Sequence, residues 1–162
     1  MIFVTVGTHE QPFDRLLQVV DAFAAQTDEE VIVQTGYCTY EPKHCTHSQF
    51  YPYAQMLKLV EDARIVVTHG GPSSFIMPLQ VGKIPVVAPR QEKYGEHVND
   101  HQLTFALEVE KRQKNILVLQ DVNDLPLMLT QYEERVNQLS GGLNSNHDAF
   151  MKRFCQIADE LV

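Results

Sequence analysis

The chain has 162 residues, 44% of them hydrophobic and 21% charged, which fits one globular domain with a full core. Its formal net charge of −8 argues against a nucleic-acid surface, for which a basic field is expected. No apolar run reaches the ~18 residues that span a bilayer, and the N-terminus lacks the charged start of a signal peptide. We therefore expect a single cytoplasmic domain over residues 1–162.

Apolar strands and amphipathic helices alternate along the chain. A strand at 2–6 is followed by a helix at 12–25, a strand at 30–34 and a long polar connection with a short strand near Cys45. Further helices are predicted at 53–63, 74–81, 103–110, 125–139 and 146–161, and further strands at 65–68, 84–88 and 116–119. This alternation predicts an α/β fold, a Rossmann-like parallel sheet with helices on both faces.

Cysteine usage favours reduced thiols. Cys38, Cys45 and Cys155 make an odd count at irregular spacing, which does not suit a disulfide framework. His44 and His47 flank Cys45 and could indicate zinc, but their spacing does not match a usual structural zinc site. A polar loop is the preferred interpretation, and no metal is predicted.

The most informative segment is RIVVTHGG, residues 64–71, an apolar strand that ends on His69 and two glycines. Glycines let backbone N–H groups approach an anion, and the helix opened by Pro72-Ser73-Ser74 adds unpaired donors and the positive end of its dipole. A tight turn without a ligand would need the same glycines. Ligands of parallel sheets bind outside the carboxyl ends of the strands. We therefore expect Gly7-Thr8-His9, residues 69–74 and residues 89–102 to meet at one cleft.

The segment 90–102 is the densest polar cluster. It mixes two histidines with asparagine, aspartate and glutamine just before an apolar helix, and such groups suit the hydroxyls of a sugar. A solvated surface loop is the alternative. Asp100 is equally suited to capping the helix that follows, whereas Gln102 is the better ligand candidate.

Several of these motifs together resemble the C-terminal-domain half of glycosyltransferase family 28 over almost the whole chain. They are FVTVGT at 3–8, THGG at 68–71, Pro89-Arg90 and EHVNDHQ at 96–102. The most similar members are small catalytic subunits of two-subunit transferases. One is the eukaryotic enzyme that adds the second GlcNAc to dolichol-diphosphate-GlcNAc. Bacterial capsule and exopolysaccharide transferases, which extend an undecaprenyl-diphosphate-linked glucose, fit better.

The resemblance implies one half of a two-domain GT-B enzyme. This half would bind a UDP-sugar, need no further cofactor, and transfer a hexose or uronic acid with inversion. A membrane-associated acceptor-domain subunit would bind the lipid-diphosphate-sugar acceptor and recruit this chain to the inner face of the membrane. The alternative is a non-catalytic UDP-sugar-binding or regulatory module, with a homo-oligomer as the assembly of the isolated chain.

The resemblance also implies roles for individual residues. The donor diphosphate would be bound by His69, Gly70, Gly71, Ser73 and Ser74. The donor sugar and nucleotide would be contacted by Gly7, Thr8, Gln80, Arg90, Glu96, His97, Asn99, Asp100, His101 and Gln102. His9 is a candidate general base; a loop histidine bonded to the backbone, or a base supplied by the partner, are the alternatives.

Two features stay open at this point. Several relatives carry a glutamate for the ribose hydroxyls where Met77 stands here, so either Gln80 takes over that contact or ribose recognition differs. The helix predicted at 146–161 has an apolar stripe that packs on its own core or docks on the partner. Its members are Phe150, Phe154, Ile157, Ala158 and Leu161.

Overall fold

The computed structural model describes residues 1–139, in which strands and helices alternate as expected. The strands are β1 Ile2–Thr5, β2 Val31–Gln34, β3 Thr46–Ser48, β4 Ile65–His69, β5 Val86–Ala88 and β6 Leu117–Val118. The α-helices are α1 Asp14–Ala24, α2 Tyr53–Asp62, α3 Pro72–Gln80, α4 His101–Gln113, α5 Leu125–Thr130 and α6 Tyr132–Gln138. Short 3₁₀ helices lie at Glu92–Tyr94 and Val122–Asp124. The predicted helix at 146–161 lies outside the described residues.

The strands form one sheet in the order β3-β2-β1-β4-β5-β6, and every neighbouring pair is parallel. The prediction of a Rossmann-like parallel sheet is confirmed. The strand order reverses direction between β1 and β4, and open α/β sheets bind ligands in the crevice that such a switch point leaves. The two strands that flank this crevice end in the two motifs highlighted by the sequence.

Both faces of the sheet are covered. Alternate residues of β1 point to opposite faces. Ile2 and Val4 join the core beneath α1 and α5, and Phe3 joins the core beneath α2. Burial on both faces explains why the strands read as continuous apolar runs instead of alternating ones. No helix within residues 1–139 is long and apolar enough to cross a membrane.

Some element boundaries differ from the prediction. The single helix predicted at 125–139 is two helices separated at Gln131. The helix predicted from Leu103 begins at His101, because apolar periodicity cannot locate a polar first turn. The helix after the turn at Gly70-Gly71, called the glycine turn below, likewise begins before its predicted start, at Pro72. Proline is favourable there because an N–H at the first helical position has no intrahelical partner.

The polar connection between β2 and β3 is anchored by the buried carboxylate of Asp21 in α1. Asp21 accepts hydrogen bonds from the Tyr40 hydroxyl and from the N–H groups of Lys43 and His44, at 2.8, 2.9 and 2.7 Å. Burial raises the pKa of Asp21, but these hydrogen bonds outweigh it and lower the pKa to about 2. The Cys45 thiol packs beside this carboxylate, and burial raises its pKa to about 12.

Candidate functional site

A cavity of about 400 Å³ opens at the carboxyl ends of β1 and β4, at the switch point of the sheet. Its volume suits a small-molecule ligand. Its floor is polar, its walls are apolar, and its rim carries the loop after β1 and the start of α3. The floor is formed by Thr5, Gln34 and Thr68; the walls by Met56, Val60, Val66 and Met77; and the rim by Gly7, Thr8, His9, His69, Ser73 and Ser74.

The floor is a row of polar side chains across three adjacent strands. Thr5 of β1 pairs in register with Gln34 of β2 and with Thr68 of β4. The Thr5 hydroxyl accepts from Gln34 Nε2 at 3.2 Å and from the Gly7 N–H at 3.1 Å, which ties the loop after β1 to the row. Sequence reasoning missed these residues, although polar side chains at the carboxyl ends of apolar strands were the available signal.

Thr68 is the member of this row that points to a ligand. Its side chain is 0% exposed and lines the cavity, yet its hydroxyl has no hydrogen-bond partner within residues 1–139. A buried hydroxyl without a partner costs ~1–3 kcal/mol. A polar group of a bound molecule would remove that cost.

His69 is held between two glycines. A Cβ atom on Gly7 or Gly71 would overlap its imidazole ring, and Gly7 also adopts a φ of +77°. The Gly71 N–H donates to His69 Nδ1 at 3.0 Å. Burial, assisted by the Arg90 charge, lowers the pKa of His69 to about 4 against the opposing hydrogen bond to Gln102. At neutral pH the ring is therefore neutral, and its proton lies on Nε2.

The two serines at the start of α3 differ in what they can offer. The Ser74 hydroxyl donates to the carbonyl oxygens of His69 and Gly71, at 2.7 and 2.6 Å. Its N–H donates to the Gly71 carbonyl oxygen at 3.0 Å. These donors close the turn, and the predicted contact of Ser74 with the diphosphate stays a prediction. Ser73 is exposed on the rim, and its N–H precedes the first intrahelical bonds.

Arg90 needs correction as a ligand contact. The side chain is 0% exposed, and its guanidinium donates to the carbonyl oxygens of Val6, Gln11 and Glu96 at 3.0, 2.6 and 3.3 Å. The Glu96 carboxylate, 3% exposed, forms a two-bond ion pair with Arg15 at 2.9 and 3.0 Å. Both predicted contacts are instead buried ties that join the loop after β5 to the loop after β1 and to α1.

Gln102 is oriented by the backbone beside it. Its Oε1 accepts the Arg90 N–H at 3.2 Å, so its side-chain NH₂ is the group left to meet a ligand. The side chain also packs on Gly70, where an added Cβ would come within 2.8 Å of Gln102 Cβ. The turn at Gly70 and the start of α4 are therefore in direct contact, but Gln102 and the rest of residues 89–102 do not line the cavity.

The remaining predicted sugar contacts shape the loop before α4. Asp100 is the N-cap residue of α4, but its side chain makes no capping hydrogen bond and instead accepts the Glu92 N–H at 2.9 Å. The Asn99 side chain accepts the His101 N–H at 3.1 Å. Eight of the predicted donor contacts lie outside the loop after β1 and the turn after β4, and none of the eight lines the cavity that residues 1–139 form. These are Gln80, Arg90, Glu96, His97, Asn99, Asp100, His101 and Gln102.

Met77 and Gln80 can now be told apart. Met77 is part of the cavity wall, whereas Gln80 is exposed at the last residue of α3. The cavity therefore meets the thioether of Met77 and not the amide of Gln80.

Solved glycosyltransferase structures share this fold. CalG4, the calicheamicin glycosyltransferase, is 14% identical with a TM-score of 0.60, and the match covers 97% of this chain and 42% of CalG4. SnogD from Streptomyces nogalater is 14% identical with a TM-score of 0.56, covering 86% of this chain and 37% of SnogD. The glycosyltransferase of kitacinnamycin is 19% identical with a TM-score of 0.58, covering 93% and 42%.

At these identities the likeness establishes the fold alone. The chain spans about two fifths of the length of these structures, as one half of a GT-B glycosyltransferase would. No curated protein sequence matches the chain. The family model for the glycosyltransferase family 28 C-terminal domain, however, matches residues 1–161, nearly the whole length. The chain therefore belongs to the glycosyltransferase family 28 C-terminal domain family.

Proposed function

We propose that this chain is the nucleotide-sugar-binding half of a UDP-sugar-dependent glycosyltransferase. It would transfer a hexose or uronic acid, with inversion, to an undecaprenyl-diphosphate-linked sugar in exopolysaccharide or capsule synthesis. The observation that carries the proposal is the cavity at the switch point, with the unpartnered Thr68 hydroxyl on its floor and with His69, Ser73 and Ser74 on its rim.

The cavity offers different surroundings to the two ends of a nucleotide. Its apolar walls, from Met56, Val60 and Met77, suit the nucleoside, and the polar floor provides hydrogen bonds to it. The start of α3 suits the diphosphate, because the Ser73 N–H and the helix dipole favour negative charge there. The same groups would offset the charge that develops on the leaving UDP during transfer. The sugar would extend from the diphosphate towards the Gln102 amide.

The acceptor half would come from another chain. The matched structures are more than twice as long as this chain, so a complete GT-B cleft needs a second domain. We assign that domain to a membrane-associated subunit that binds the lipid-diphosphate-sugar and brings this cytoplasmic chain to the inner face of the membrane. A deletion of residues 146–162, followed by co-purification with the partner, tests whether the last predicted helix docks on it. Retained association would contradict docking.

The test of function is transfer of labelled sugar to a lipid-diphosphate-sugar acceptor, with and without a coexpressed acceptor-domain subunit. A panel of UDP-sugars should give product with the pair and none with either chain alone. Gly71→Val is the matched inactive control, because its side chain would overlap His69 and disturb the diphosphate turn. Failure with every UDP-sugar in the presence of the partner would contradict the proposal.

A non-catalytic UDP-sugar-binding module is the second candidate. Met77 favours it, because a thioether in the cavity wall cannot hold the ribose hydroxyls as a carboxylate would. The two candidates differ in the same assay. A sensor would bind the UDP-sugar and give no product with the partner present.

A further inference from the structure

His9 lies at the rim of the cavity with its ring orientation fixed by its own loop. The Gln11 N–H donates to His9 Nδ1 at 3.2 Å. A backbone N–H can only donate, so Nδ1 must be the unprotonated nitrogen of this ring. The Nε2 atom, at the far end of the ring, then carries the single proton of the neutral imidazole.

The surroundings of His9 favour the neutral ring. Burial lowers its pKa, and so do the charges of Arg90 and His97 in the loop after β5, while Glu10 in its own loop raises it. In the neutral ring, neither nitrogen can take a proton from an acceptor hydroxyl. Nδ1 faces a backbone N–H, and Nε2 is already protonated.

His97 provides a contrast within the same cluster. Its ring packs against that of His9, with the two ring centroids 5.1 Å apart. His97 Nδ1 lies 3.1 Å from the Asn99 carbonyl oxygen and 3.4 Å from the Asn99 N–H, so either tautomer finds a partner there. The fixed tautomer is therefore a property of the His9 loop and not of the cluster as a whole.

We propose that His9 acts as a hydrogen-bond donor, through Nε2–H, to the diphosphate of a bound nucleotide, and that it is not the general base. His9 shares the rim with Ser73, whose N–H at the start of α3 suits the same anion. This role replaces the general base suggested by sequence, and the base must then come from another group of the assembled enzyme. The inference rests on the proposed function, since it needs a diphosphate in the cavity.

A first test needs no ligand. Nitrogen-15 imidazole spectra of the purified chain at neutral pH distinguish the two neutral tautomers of each histidine. His9 is expected as the Nε2–H tautomer, as is His69. A His9 ring protonated at Nδ1 would overturn the inference, because its Nε2 would then be free to act as a base.

A second test measures affinities for UDP and for uridine, which lacks the diphosphate. His9→Ala should weaken UDP binding roughly tenfold, the scale of one hydrogen bond to a charged group, and leave uridine binding unchanged. His9→Gln, whose side-chain amide places a donor near the former Nε2, should stay within about threefold of the parent for UDP. His47→Ala, an exposed histidine on β3, is the matched control and should change neither affinity.

The outcomes separate this inference from the proposed function. Unchanged UDP affinity in His9→Ala, or an equal loss for UDP and uridine, would overturn the donor role while leaving UDP binding by the chain intact. A general base predicts unchanged UDP affinity in both variants and loss of transfer in both. Parent protein that binds no UDP would overturn the proposed function itself, and the donor role of His9 with it.

Discussion

Replacing Arg90 by methionine tests whether this buried cation ties the loops together. Its guanidinium donates to three carbonyl oxygens, and two of these, on Val6 and Gln11, belong to the loop after β1. Hydrogen bonds to a charged group are worth ~1.5–3 kcal/mol each, and burial of the charge offsets part of that sum. Methionine removes the charge but leaves three carbonyl groups without this donor, and the two buried ones, on Val6 and Glu96, cost ~1–3 kcal/mol each. We expect the free energy of unfolding to fall by ~3–5 kcal/mol.

Urea denaturation followed by circular dichroism measures this loss. Arg112→Met is the matched control, because that arginine is exposed on α4, forms an i,i+4 pair with Glu108, and should lose less than ~0.5 kcal/mol. A residue that contacted the nucleotide directly would behave differently: its loss would reduce UDP affinity and leave unfolding unchanged. An Arg90→Met protein within about 1 kcal/mol of the parent, but about tenfold weaker for UDP, would refute the structural role.

Three further substitutions follow from the contacts of single side chains. Thr68→Val should raise the free energy of unfolding by about 1 kcal/mol, since it removes an unpartnered buried hydroxyl, and should weaken UDP binding; lower stability would contradict this account of Thr68. Gln102→Ala should reduce discrimination among UDP-sugars more than it reduces UDP affinity, and equal loss of both would refute the sugar assignment. The pKa of Asp21 lies at about 2, below its ordinary 3.8, so its stabilisation is present above about pH 4 and is lost towards pH 2. Asp21→Asn should therefore cost ~2 kcal/mol at neutral pH and flatten the acid limb of the stability curve; an unchanged acid limb would contradict that pKa.

The fold was predictable because its signals are local. Apolar runs of strand length alternate with segments of helical periodicity, and a pair of glycines such as Gly70-Gly71 is a local signal for a turn. The position of that turn beside the loop after β1 also followed, since the carboxyl ends of parallel strands share one edge. The THGG motif of this turn was also one of the motifs on which the resemblance to glycosyltransferase family 28 rested.

The role of Arg90 was not predictable in this way. Its partner in the loop after β1, the carbonyl of Val6, is 84 residues away in sequence, so burial at this position depends on how two distant loops meet. A charged residue just after a strand suggests a ligand contact, and only the packed structure shows that its guanidinium reaches inward. The contact between Thr5 and Thr68 was not predictable either. These residues become neighbours because β1 pairs with β4 as well as with β2.

The central claim is that a nucleoside diphosphate binds at the switch point of this sheet. A titration of the nitrogen-15-labelled chain with UDP, followed by backbone amide spectra, tests it most directly. The account predicts saturable one-to-one binding with the largest shifts at Gly7, Thr68, Gly71 and Ser73, and loss of binding in Gly71→Val. Absence of shifts at millimolar UDP, or shifts confined to residues away from the carboxyl ends of β1 and β4, would contradict it.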